Sequence, residues 1–357
     1  MTTLDEYRLL GRSGLRISPL SLGAMTFGDV WGWGADKETS RRIFDAYIEA
    51  GGNMIDTASV YTDGQSEQYL GEFAQGRRES VVIATKYSGT RNPLDPNAGG
   101  GSRKSLIGSV EASLRNLGTD YIDLLYLHAW DGLTPGDEII AALGELVRSG
   151  KVLYLGVSDA PAWEISRMQT IAELRGWPAF AALQVEYSLI ERTTERELIP
   201  MAAGLGLGVI PWAPLGGGVL TGKYTAVDLD TAASDTPGGS RREHAVANRT
   251  LNVRGLAIAD VVVAIAREIG ATPAQVALAW TLQNPAVVSP LVGARTPEQL
   301  QDNLAALDID LHNEHLHKLD DASAPDLGFP HEFLARPMVQ GVTRGRTRTR
   351  PRNPIRW

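Results

Sequence analysis

Four ionisable side chains stand at or just past the ends of short apolar runs. They are Asp56 in NMIDTA (53–58), Tyr61 in the segment that follows, Lys86 in VVIATKY (81–87), and His128 closing YIDLLYLH (121–128). A carboxyl, a phenol, an ammonium and an imidazole together span most of the pH scale, so if brought to one place they could hold and pass a proton. Singly, each has a plainer use: a solvated lysine, a core tyrosine, a hydrogen-bonded packing histidine. The shared pattern sets them apart. Three successive strand-like segments each deliver an ionisable group to one rim, and a phenol joins them from the loop after the first.

The elements that must carry these groups alternate along the chain. Compact apolar runs occur at LSLGAM (20–25), NMIDTA, VVIATKY, YIDLLYLH, VLYLGVS (152–158), AALQVEY (181–187), GVIPWAP (208–214) and VVSPLVG (287–293). Between them lie segments with helical spacing, such as Ile139, Leu143, Leu146 and Val147. Thr134-Pro135 reads as the start of that helix, and Thr272-Pro273-Ala274-Gln275 and Thr296-Pro297-Glu298-Gln299 read as helix starts with capping boxes. Near-continuous apolar strands, each followed by a helix, imply parallel pairing with both faces covered, and eight of them imply an α/β fold of the (β/α)8 TIM-barrel type. Two insertions, residues 88–101 and 215–254, follow the third and seventh barrel strands. Both therefore belong to the end of the barrel where sites are built.

Composition narrows the classes. The chain has 357 residues, 43% of them hydrophobic and 21% charged, and no cysteine. That excludes disulfides, thiolate metal sites and cysteine nucleophiles. The opening MTTLDEYRLLGRSG has no signal-peptide pattern and no apolar run reaches membrane-spanning length, so the reading is a cytoplasmic protein without a membrane partner. Net charge is −8, divided between −15 over residues 1–332 and +7 over residues 333–357, where seven Arg meet no acid. The expected organisation is one barrel domain, 1–332, and a basic, Arg-rich tail, 333–357, too rich in Pro and alternating Arg-Thr to fold alone. Nucleic acid is not an expected partner, because no aromatic residues interleave with the arginines before Trp357. The segment Gly217 to Tyr224 nearly spells a phosphate-binding P-loop, but Tyr224 stands where a hydroxyl for magnesium is needed. Gly204, Gly206 and Gly208 precede a strand, which is the wrong order for a dinucleotide fingerprint. His312, His315 and His317 have surface-helix spacing, so no metal site is expected.

With these residues in view, the chain resembles the aldo-keto reductases over roughly residues 6–325, in pattern closest to bacterial members like the potassium-channel β-subunits. The resemblance rests on Gly51-Gly52-Asn53-Met54-Ile55-Asp56-Thr57-Ala58 with Tyr61, on Thr85-Lys86, and on Asp123-Leu124 leading to His128. Leu155-Gly156-Val157-Ser158, Gln184, Trp212-Ala213-Pro214-Leu215 and Gly293-Ala294-Arg295 extend it, and Tyr7-Arg8 to Leu22-Gly23 looks like the family's N-terminal hairpin. The resemblance implies NADPH-dependent reduction of an aldehyde or ketone, with hydride passing from nicotinamide to the carbonyl carbon. Tyr61 would be the general acid/base, Lys86 would lower its pKa, Asp56 would hold Lys86 charged, and His128 would orient the carbonyl. A non-catalytic nucleotide-binding role like that of the channel subunits, or a dedicated sugar ketoreductase, is the alternative.

For the cofactor, the resemblance places Ser158, Asp159 and Gln184 at the nicotinamide carboxamide and Trp212 against the ring, with Met25, Asp56 and Pro214 nearby. Leu215, Gly217, Gly218 and Lys223 fall at the pyrophosphate, and Gly293, Ala294, Arg295, Gln299, Asp302 and Asn303 at the adenosine. Arg295 before a capped helix suits a 2′-phosphate, which favours NADPH over NADH. Asp159 departs from the pattern, since most relatives carry Asn after the Ser. Trp31, Trp33, Tyr87 and Trp130 are expected to wall a substrate pocket for a small-molecule carbonyl, with Asp131 available to a substrate hydroxyl. A homo-oligomer is compatible with all of this.

Overall fold

A computed structural model describes residues 3–229, 241–345 and 347. Eight parallel strands form one sheet: β3 (Ser21–Gly23), β4 (Met54–Asp56), β5 (Val82–Tyr87), β6 (Ile122–Ala129), β7 (Val152–Asp159), β8 (Phe180–Glu186), β9 (Gly208–Trp212) and β10 (Leu291–Gly293). They neighbour one another in chain order, with β10 returning to pair with β3. A parallel bridge from Val209 to Val287, just before β10, brings the two ends together into a nearly closed barrel. Two short antiparallel strands, β1 (Arg8–Leu9) and β2 (Arg16–Ile17), form the hairpin that precedes it. Leu10 and Ile17 of this hairpin belong to the same buried cluster as Met54, Val82, Ala84, Leu124, Tyr126, Ala182 and Ile210.

The strand period of two decides which residues reach the site. On β5, Val82 and Ala84 join that inner cluster, whereas Ile83 and Tyr87 join the larger cluster between sheet and helices. On β6, Leu124 and Tyr126 are inside, and Leu125 and Leu127 are outside. Extending the inner phase by two residues delivers Lys86, His128, Ser158, Gln184 and Trp212 to one rim. Gly156 keeps the layer below open, because a Cβ there would lie 2.4 Å from the Tyr126 ring.

The outer layer contains α1 (Lys37–Glu49), α2 (Gln65–Phe73), α3 (Arg103–Leu117), α4 (Gly136–Arg148), α5 (Ala162–Arg175), α6 (Leu198–Leu205), α7 (Arg241–Ala247), α8 (Val253–Ile269), α9 (Pro273–Leu282), α10 (Pro297–Leu304) and α11 (Asn313–Ser323). The longer helices bury an apolar stripe, as α1 does with Ile43, Phe44 and Tyr47. Full burial of one such side chain stabilises by about 1.5–3 kcal/mol. Thr272 and Gln275 form the expected capping box. At α10, Thr296 accepts from the Gln299 N–H, but Gln299 Oε1 accepts from the Arg295 N–H, one residue short of a reciprocal box. Helix α4 also departs from expectation. Pro135 occupies the cap position, and Asp131 accepts from the N–H groups of Leu133 and Thr134 ahead of it.

The insertion after β5 contains no helix or strand between Tyr87 and α3, and the one after β9 contains short 3-10 turns at Gly216–Thr221 and Ala226–Asp228 and then α7. The described part of the basic extension is more ordered than its composition suggested: α12 (His331–Ala335) and α13 (Pro337–Arg344) are helical and pack on each other. Arg346, Arg348, Arg350, Arg352, Arg356 and Trp357 lie outside the described residues.

Candidate active site

Asp56 ends β4, fully buried, and Lys86 projects beside it from β5. The Lys86 ammonium donates to Asp56 Oδ1, to the Thr57 carbonyl at 2.8 Å and to the Tyr61 hydroxyl at 3.2 Å. Gln184 Nε2 donates to the other carboxylate oxygen of Asp56 at 2.8 Å. Burial alone would strip Lys86 of its charge, but the Asp56 charge and hydrogen bond, with help from Tyr61, carry its pKa above the ordinary value. Burial likewise pushes the Asp56 carboxyl up, and Lys86 and Gln184 pull against that. Donors on both carboxylate oxygens fit a carboxylate paired with an ammonium.

Tyr61 stands at the head of a tight turn, Tyr61–Gly64, in which Thr62 and Asp63 adopt φ of 47° and 56°. Side chains rarely take this left-handed conformation, which costs on the order of 1 kcal/mol per residue and clusters at functional sites. Thr62 Oγ1 anchors the turn by donating to the Phe27 carbonyl at 2.8 Å. Burial is the larger influence on Tyr61, and Lys86 pulls its pKa down against it by charge and hydrogen bond, as expected. On balance the phenol is raised above its usual value, so it keeps its proton through the neutral range. The His128 ring meets Tyr61 edge-on, with centroids 5.8 Å apart. Burial, aided by the Lys86 charge, lowers the imidazole to about 3, so His128 is neutral and carries one N–H donor.

These groups open into a cavity of about 350 Å³ lined by Met25, Asp56, Tyr61, His128, Ser158, Asp159, Gln184, Trp212, Pro214, Leu215 and Gly217 among others. A second hollow of about 280 Å³ shares Thr26, Leu215 and Gly293 with it and adds Gly218, Lys223, Ala294, Arg295, Gln299, Asp302 and Asn303. Every cofactor-site residue expected from the sequence thus lines one of the two. Three observations suit an elongated anionic dinucleotide. The Ser158 hydroxyl is buried without a hydrogen-bond partner. Gly216, Gly217 and Gly218 run through positive φ of 55°, 65° and 94°, so the loop presents backbone without side chains to both hollows, Gly217 to the first and Gly218 to the second. At φ 94° Gly218 holds a conformation that other residues rarely adopt, and Lys223 Nζ stands 2.9 Å from where its Cβ would be. At the far end, Arg295 is exposed just ahead of the Thr296 cap of α10.

Trp31 meets the Tyr61 ring edge-on at 6.4 Å and lies 5.7 Å from the Trp33 ring, so Trp31 stands beside the phenol and Trp33 beside Trp31. The other expected substrate residues have contacts of their own. Tyr87 is 1% exposed and faces the helix layer, because it follows Lys86 and is out of phase with the inner face. Trp130 donates its indole N–H to the Thr134 carbonyl and packs against Trp163, which fastens its loop. Asp131 is spent on structure: it accepts from Gly101 N–H and Thr134 Oγ1 as well, and although burial pushes its carboxyl up, these bonds together outweigh it and hold the carboxyl at about 2.

Sequence reasoning missed Glu186, Thr26 and Asn248. Thr26 and Asn248 line the main cavity. Glu186 ends β8 opposite Trp212 of β9, and burial with the nearby Glu191 and Asp159 charges raises its carboxyl to about 7. Its position two residues after Gln184 was the available signal. Among the described residues no group of acids and histidines is arranged to hold a metal, and no helix is long and apolar enough to cross a membrane.

Comparison with known proteins gives the family. The model of the aldo/keto reductase family matches residues 19–324. Norsolorinic acid reductase stcV of Emericella nidulans is 37% identical over 93% of this chain and 85% of its own length. The NADP(+) aryl-alcohol dehydrogenase of Phanerodontia chrysosporium is 38% identical, over 92% and 89%. The uncharacterized oxidoreductase YrpG of Bacillus subtilis is 39% identical, over 88% and 95%.

Proposed function

The chain belongs to the aldo/keto reductase family and is an oxidoreductase, and from that premise we propose that it reduces an aldehyde or ketone to an alcohol, reversibly, using NADPH, with Tyr61 as the acid/base. The observation that carries this reading is the single ammonium of Lys86, which bonds Asp56 and the Tyr61 phenol at once in the cavity rim beside His128. Bound NADPH supplies the hydride.

The protein's own part is proton supply and orientation. The neutral His128 donates its N–H toward a carbonyl oxygen and directs that oxygen to the Tyr61 hydroxyl. As charge develops on the oxygen, the phenol gives up its proton, and the adjacent Lys86 ammonium stabilises the phenolate left behind. Asp56 and Gln184 keep the ammonium in place. Ser158, Asp159, Gln184, Trp212, Met25 and Pro214 would hold the nicotinamide end. Leu215, Gly217, Gly218 and Lys223 would hold the pyrophosphate, and Gly293, Arg295, Gln299, Asp302 and Asn303 the adenosine. The exposed Arg295 guanidinium supports NADPH over NADH.

The Trp31–Trp33 pair beside Tyr61, together with relatives named for norsolorinic acid and for aryl alcohols, supports an aromatic carbonyl as the substrate. The test is NADPH consumption against a panel of aryl aldehydes, aliphatic aldehydes, ketones and sugar ketones. Aryl carbonyls should turn over best. Tight NADPH binding with no turnover of any member would contradict the catalytic reading.

A further inference from the structure

At the rim, β7, β8 and β9 end side by side on Asp159, Glu186 and Trp212. Glu186 pairs with Trp212 in register, and Asp159 is one position beyond Ser158 on the neighbouring strand. The Trp212 indole N–H donates to Asp159 Oδ1 at 3.2 Å. Both residues line the main cavity beside Ser158 and Gln184. An indole has one donor and two rotatable bonds, so a bond to a strand-end carboxylate selects its rotamer and the face it turns to the cavity. The same carboxylate is exposed to the cavity, where a ligand covering it would exclude water and strengthen its field.

We propose that Asp159 is a positioning and tuning residue of the cofactor site: it fixes the Trp212 indole and, by its charge, makes the protein favour NADP+ over NADPH more than a neutral residue would. This rests on the cofactor reading above. The oxidised nicotinamide ring carries one more positive charge than the reduced ring, so a nearby carboxylate stabilises the oxidised form selectively. Tighter holding of NADP+ lowers the potential of the bound couple and makes bound NADPH the stronger reductant.

Asp159→Asn separates the two roles, since its amide oxygen can still accept from the indole while the charge is gone. Dissociation constants of NADP+ and NADPH are measured for both proteins by calorimetry at pH 8, together with the Trp212→Phe variant. The ratio Kd(NADP+)/Kd(NADPH) should rise about tenfold in Asp159→Asn, equivalent to about 30 mV for a two-electron couple. Trp212→Phe, which keeps the carboxylate, should weaken both forms and leave the ratio within about twofold of wild type. Wild-type binding of both forms with an unchanged ratio in Asp159→Asn overturns the inference and leaves the cofactor reading standing. Wild-type protein that binds neither form overturns both.

Discussion

Lys86 Nζ donates to the Tyr61 hydroxyl at 3.2 Å, so the phenol of this site shares its hydrogen-bond partner with a buried carboxylate. The ammonium is wholly inside the protein, and the Thr57 carbonyl and Asp56 occupy its remaining donors. Such a cation stays charged only while its counter-ion is present. Stability and proton transfer are therefore coupled through one side chain.

Lys86→Met should destabilise the fold by about 3–5 kcal/mol, because it leaves Asp56 buried without its cation. The double variant Asp56→Asn/Lys86→Met should recover a large part of that loss, since no unpaired charge remains. Denaturant unfolding of the wild type, both single variants and the double variant gives the coupling. Additive losses would contradict a buried ion pair.

His128 should remain neutral at every pH at which the protein is folded and active. Its folded pKa of about 3 is depressed, so the unfolded chain binds a proton below about 6.5 that the folded chain refuses. Stability must therefore fall with acidification from that point, and His128→Asn should flatten the fall. Ring C–H resonances, assigned by difference against His128→Asn, should not move between pH 5 and 8. A midpoint near 6.5 would contradict the account.

The parts of the fold legible in the sequence were those set by period. Eight apolar runs separated by helical spacing specified the barrel, and the ends of those runs specified Asp56, Lys86 and His128, whereas Ser158 and Gln184 came from the family resemblance. Phase was the signal left unused. Counting by two from Lys86 places Tyr87 on the outer face, and counting by two from Gln184 places Glu186 at the strand end beside Trp212. Loop contacts were less legible, because an aromatic or an acid after a strand can face a ligand or fasten its own loop. Trp130 and Asp131 do the second through Thr134, and sequence spacing does not distinguish the two. The Tyr61 pKa depended on how much burial accompanies the Lys86 charge, which only the packed structure supplies.

Glu186 should cost stability at alkaline pH. Its folded pKa of about 7 is raised, so the folded chain holds a proton that the unfolded chain has lost between about pH 4.5 and 7, and stability declines as pH rises through that window. Discounted for partial solvent screening, the penalty is on the order of 1 kcal/mol above pH 7. Glu186→Gln should raise Tm by about 2 °C at pH 8 and by nothing measurable at pH 5. An equal gain at both values would point to packing instead of charge.

Arg295→Ala should lower NADPH affinity about tenfold or more and leave NADH affinity within about twofold, since only the phosphorylated cofactor offers a dianion to a guanidinium. Fluorescence titration with each cofactor checks it. An unchanged preference would remove Arg295 from phosphate recognition.

The central claim is that the Tyr61 phenol supplies the proton. Tyr61→Phe removes one oxygen atom and leaves the Asp56–Lys86 pair and the cavity walls in place, so NADPH should bind within about threefold of wild type. Single-turnover oxidation of bound NADPH by an aryl aldehyde should slow by about 10³-fold or more. A variant that binds NADPH normally and oxidises it at close to the wild-type rate would contradict the account.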